Sequence, residues 1–139
     1  MSLSRTFPSY LIGTMTIGVG IACFIAPRGA YQLFGLPLPE KSPNNDNKNL
    51  ASSNLTSTPS PYVYAMGVRQ FSLGLMLIAF EAAGNTQAVA TMAGAISLIG
   101  AVDGGIVWMN GGALRSKAWG HWNGTIMAAA WYGWRFWRL

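Results

Sequence analysis

The sequence predicts an all-α, four-transmembrane-helix bundle, one domain of 139 residues with a polar loop between helices 1 and 2. Three observations predict it. Only 9% of the residues are charged, against 51% hydrophobic, where a soluble domain carries about a quarter charged. The apolar residues gather into four runs, each near the roughly 20 residues a helix needs to cross a bilayer at 1.5 Å rise. None of these runs alternates polar with apolar, so helices are the remaining way to satisfy backbone polar groups in lipid. Disorder is excluded by the low polarity and an aromatic content of 12%. The single cysteine, Cys23, excludes an internal disulfide framework and a Cys-rich metal site.

The first span covers about residues 10–26 and stops at Pro27-Arg28. Arg5 ahead of an apolar run imitates a signal peptide, but Pro27 directly after Ala26 disfavours cleavage, so the helix is expected to be retained. Tyr31 to Pro37 has the makings of a short interfacial helix. Residues 37–61, rich in Ser, Asn and Pro, read as a flexible, solvated loop. The second span, 62–83, opens after Pro61 and breaks at Gly84-Asn85. The third, 86–109, ends at Asn110-Gly111-Gly112, and the fourth is 118–137. Gly13, Gly18, Gly67, Gly74, Gly94 and Gly100 are placed to let helices approach closely. Arg28, Lys41, Lys48, Arg115 and Lys117 on one side outnumber Arg5, Arg135 and Arg138 on the other. The positive-inside rule therefore puts the long loop in the cytoplasm. The Asn54-Leu-Thr56 sequon would need the opposite topology to be used. The expected location is a multi-pass protein of the endoplasmic reticulum membrane.

Four ionisable residues fall in or near the spans: Arg69, Glu81, Asp103 and His121. Intramembrane charge is costly and marks function by default. Counting rise along antiparallel helices puts Arg69 and Asp103 within about one turn of the same depth. His121 belongs to the same half of the bilayer, on the side of the polar loop. Glu81 falls at the opposite end, expected interfacial and solvated, with Arg135 and Arg138 as anchors. On the fourth helix His121, Thr125, Ala128, Tyr132 and Arg135 form one polar stripe. Trp119, Trp122, Trp134 and Trp137 point elsewhere, as a lipid-facing belt. Tyr62, Met66, Leu73, Met76 and Phe80 share the face of Arg69. Ile96, Ile99, Gly100 and Val107 share that of Asp103. A few polar heads on apolar faces describe a pocket for a lipophilic molecule.

The segments Tyr64 to Leu75, Ala101 to Val107 and Gly120-His121-Trp122 together resemble a family of small four-helix integral membrane proteins. That family is defined as a domain of unknown function, is widespread in fungi, has bacterial relatives, and is often linked to secondary-metabolite pathways. Its members often carry a Gly-x-Arg-Asp core, an Asp-Gly and a His opening the fourth helix. Gln70 stands here where the family pattern has Asp. The resemblance implies work on lipophilic intermediates and supplies no reaction.

The residues themselves narrow the chemistry. There is no phosphate loop, no haem ligand pair and no zinc set, since His121 is the only histidine. No cofactor and no metal is therefore expected. The net charge of +5 lies mostly at membrane edges, which argues against nucleic acid. Proton chemistry remains. The leading expectation is a cofactor-free isomerase, cyclase or dehydratase acting on a terpenoid- or polyketide-like molecule. Asp103 would be the acid or base, His121 the relay and Arg69 the clamp on a carbonyl or oxyanion. Tyr62, Met66, Gln70, Thr125 and Tyr132 would line the substrate. The expected partners are a small lipophilic molecule and membrane lipid, and a homo-oligomer is compatible with the pattern. The alternative is a non-catalytic binding or scaffold protein in which Arg69 and Asp103 form a structural pair. A proton-coupled transporter ranks third, because one cluster in one leaflet offers no path across.

Overall fold

The computed structural model describes residues 3–38 and 60–137. Lys41, Lys48, the Asn54 sequon and Arg138 lie outside the described residues, as does nearly all of the expected polar loop, and the Arg5 side chain is likewise undescribed. The described residues form α1 (Leu3–Ile25), α2 (Pro27–Phe34), α3 (Tyr62–Ala82), α4 (Thr86–Asn110), a 3₁₀ helix (Gly112–Lys117) and α5 (Ala118–Phe136). No strand occurs among them. Three of these helices contain stretches long and apolar enough to cross a membrane: Thr6–Ile25, Tyr62–Ala82 and Thr86–Asn110. By length and composition these mark the chain as a membrane protein. His121, Asn123 and Arg135 leave α5 more polar than the other three.

The breaks have local causes. Between α3 and α4, Gly84 takes a positive φ of 68°, open to glycine at no steric cost. Asn85 then caps α4, its side chain accepting from the Ala88 amide at 3.0 Å. Pro27 opens α2, where a missing N–H costs nothing. Gly35, at φ 85°, closes α2 in the left-handed conformation, and Leu36 N–H reaches back to the Tyr31 carbonyl at 3.1 Å. The helix predicted near Tyr31 therefore exists, and begins four residues earlier.

Packing is pairwise: α1 lies antiparallel along α3, and α4 along α5. The first pair meets through glycines seven apart on each helix, Gly13 and Gly20 against Gly74 and Gly67. A Cβ on Gly74 would sit 2.5 Å from the Gly13 carbonyl oxygen, and one on Gly67 2.7 Å from Cys23 Cβ. Backbone contact of this kind, driven by van der Waals packing, is how helices associate in lipid. In the second pair the small residues lie on α4 and the large ones on α5. Thr125 seats on Gly100, Trp122 on Gly104 and Tyr132 on Gly94. Two expectations change. Gly18 faces open space, while Gly20 and Gly104 carry close contacts that were not foreseen. Trp122 leaves the proposed lipid belt to pack on α4, its ring 5.6 Å from Trp108, whereas Trp119 and Trp137 are exposed.

Candidate functional site

The two helix pairs meet α2 at one end of the molecule. An apolar cleft of about 410 Å³ opens there, within the range of small-molecule sites. Its base is Tyr31, Phe34 and Leu36, around the end of α2. From α3 come Tyr62, Val63, Ala65 and Met66, and from α4 Ile106 and Val107. The two charged residues on the lining are Arg69 and Asp103.

Antiparallel α3 and α4 bring that pair together, as counting helical rise requires. Arg69 Nη2 donates to Asp103 Oδ2 at 3.0 Å. The bond is a single contact, and the side chains keep 40% and 17% of their exposure. Four site residues predicted from the sequence, Arg69, Asp103, Tyr62 and Met66, thus share one cleft. The remaining four do not line it. Gln70 is half-buried on α3, one position past Arg69. Thr125 and Tyr132 sit in the α4–α5 seam against Gly100 and Gly94. Thr125 Oγ1 is buried there without a hydrogen-bond partner among the described residues.

His121 has the expected depth and a different neighbour. Its Nε2 lies 3.0 Å from the Phe34 carbonyl oxygen. A carbonyl only accepts, so that nitrogen carries the proton and donates. The imidazole also packs on the Phe34 ring, at 5.9 Å between centroids. Lys117 Nζ donates to the Gln32 carbonyl at 2.6 Å. Two basic side chains thereby occupy carbonyls at the end of α2, the Gln32 carbonyl also accepting from the Gly35 amide at 3.2 Å. His121 holds Phe34, and Phe34 is a wall of the cleft.

The opposite end of the bundle overturns an expectation. Glu81 is buried, at 2% exposure, and neither interfacial nor solvated. Arg135 is its partner and no simple anchor: Nη1 reaches Oε2 at 2.9 Å and Nη2 reaches Oε1 at 3.1 Å. Ser9 Oγ donates to Glu81 Oε2 as well, tying α1 to α3 and α5. The antiparallel counting that matched Arg69 with Asp103 was available here too. Glu81 lies three residues before Gly84, and Arg135 lies near the end of α5, which runs antiparallel to α4.

Fold and site define a class: a small helical membrane protein with an apolar cleft and one partly open ion pair on its wall. The chain belongs to the family described as domain of unknown function DUF4267, which matches residues 13–135. No curated protein and no solved structure matches it. Among the described residues no group of three or more His, Cys, Asp or Glu side chains is arranged to hold a metal ion.

Proposed function

We propose that the protein is a membrane-embedded, cofactor-free acid/base enzyme of isomerase or cyclase type acting on a lipophilic molecule held in the α2–α3–α4 cleft. The observation that carries this reading is the incomplete Arg69–Asp103 pair on an otherwise apolar wall. A purely structural pair in lipid gains most by being closed on all sides; this one leaves donors and an acceptor facing the cavity. In an isomerisation, Asp103 accepts a proton from a carbon beside a carbonyl as the C–H bond breaks. The electron pair moves onto the carbonyl oxygen, and Arg69 N–H groups stabilise the oxyanion. The carboxyl then returns the proton to a different carbon, leaving the double bond shifted and no atom gained or lost. His121 contributes by holding Phe34 in place.

The finer assignments belong to the same proposal. The resemblance to a fungal family linked to secondary metabolism supports a terpenoid- or polyketide-like substrate. The endoplasmic reticulum is the compartment that goes with it. Contact of Arg135 with Glu81 at one end of α5, and of His121 with Phe34 at the other, supports α5 as a fourth span.

The test is metabolite profiling of cells with and without the protein, followed by turnover of the accumulating compound in membranes carrying Asp103→Asn. A drop of about a hundredfold or more is expected for losing a general acid/base. Full turnover by folded Asp103→Asn sinks the role. A second reading rests on the same bond, because it ties α3 to α4: the pair is a staple and the protein a binding or scaffold component. Under that reading Arg69→Met with Asp103→Leu keeps both fold and activity.

A further inference from the structure

Resting on the cleft as a ligand site, and independent of turnover, the structure assigns the ligand's head. We infer that the cleft takes a single-chain amphiphile whose neutral head accepts and donates hydrogen bonds through adjacent atoms, as a protonated carboxylic acid or a primary amide does. The argument starts from what the ion pair leaves unused. Arg69 has five N–H donors and spends one contact on Asp103 Oδ2. Asp103 Oδ1 accepts from nothing among the described residues. Guanidinium donors and a carboxylate acceptor thus stand side by side at the cleft, 3.0 Å apart at their joining atoms.

A head that fits has a carbonyl oxygen for Arg69 and an O–H or N–H for Asp103. A bare carboxylate satisfies Arg69 but sets a second negative charge against Asp103, so an acid enters with its proton, shared between two carboxyl groups. An ester only accepts and leaves Asp103 without a donor, while an alcohol must meet both groups through a single oxygen, where the acid and the amide present acceptor and donor on two separate atoms. The other polar side chains on the lining are the phenols of Tyr31 and Tyr62. The cleft volume of about 410 Å³ sets the tail. At roughly 30 Å³ per water-sized atom group it holds on the order of a dozen non-hydrogen atoms.

The experiment uses the full chain in phosphatidylcholine nanodiscs, with tritiated dodecanamide as the probe and empty nanodiscs to subtract partition into lipid. Dodecanoic acid, dodecanol and methyl dodecanoate compete for the site. The amide and the acid are expected to bind at least about tenfold more tightly than the alcohol and the ester. The acid should gain as pH falls from 8 to 5, while the amide should not. Arg69→Met should erase the preference for head group. Ala65→Phe fills the cleft while keeping both charged residues and should abolish binding of all four with the unfolding midpoint unchanged. Equal affinity across the four heads overturns the inference while leaving the cleft as a lipophilic site. Absence of saturable binding by all four overturns the cleft itself, and the reading it rests on.

Discussion

The two ion pairs of this bundle have the same chemistry and opposite surroundings. At one end Glu81 and Arg135 are joined by two bonds, Ser9 adds a third to the carboxylate, and the side chains keep 1% and 10% exposure. At the other end Arg69 and Asp103 share one bond and face a cavity. The first pair has geometry and neighbours enough to offset desolvation; removing half of it leaves a buried charge. The second is the partly screened kind that contributes little to stability. Intramembrane charge therefore does not by itself mark a site. What marks one is charge whose hydrogen-bonding capacity is left over.

That contrast can be broken in the first instance at Glu81. Glu81→Ala should cost about 3 kcal/mol or more by stranding Arg135, read as the unfolding midpoint in detergent. Glu81→Leu with Arg135→Met should recover most of the loss, and a small effect of Glu81→Ala alone would erase the difference between the two ends. Next in size is the glycine seam beside it. Gly74→Leu must displace the Gly13 and Ile17 backbones and should cost about 2 kcal/mol, while Gly18→Leu, into open space, should leave the midpoint unchanged. His121→Ala leaves the Phe34 carbonyl without its donor and should cost about 1 kcal/mol. Hydrogen exchange should show that loss confined to α2 and the 3₁₀ helix. The smallest effect belongs to the open pair: Arg69→Met with Asp103→Leu should stay within about 1 kcal/mol of the native protein. A larger fall would put the open pair on the same footing as the closed one.

Much of this was legible in the sequence because helices in lipid obey one ruler. The helix bounds expected at 62–83, 86–109 and 118–137 match α3, α4 and α5 within a residue, since Pro61, Gly84-Asn85 and Gly111-Gly112 punctuate them, while α3 and α4 alone of these three are apolar enough to cross a membrane. The start of α1 was set seven residues late, because Leu3 to Ser9 carries no apolar run and Pro8 lies inside the helix. Rise per residue also put Arg69 beside Asp103. Rotation was harder to read. The burial of Glu81 depends on α1 and α5 both reaching it, and a polar stripe on α5 does not say which end finds a partner. His121 was set at its proper depth, but its contact belongs to α2, which folds back against the α4–α5 corner. A segment of eight residues gives no depth count to work from.

The three-helix knot around Glu81 also sets an order of assembly. Ser9 precedes Glu81 by 72 residues and Arg135 follows it by 54. A ribosome delivers them in that sequence, so the hairpin of α1 and α3 can zip along its glycines while the guanidinium is still unmade. Until α5 arrives, the Glu81 carboxyl has the Ser9 hydroxyl for company and an open flank. Closure of the bundle is thus written into translation as a latch that the fifth helix carries in, and a nascent chain stalled before residue 135 should present that flank to insertion factors.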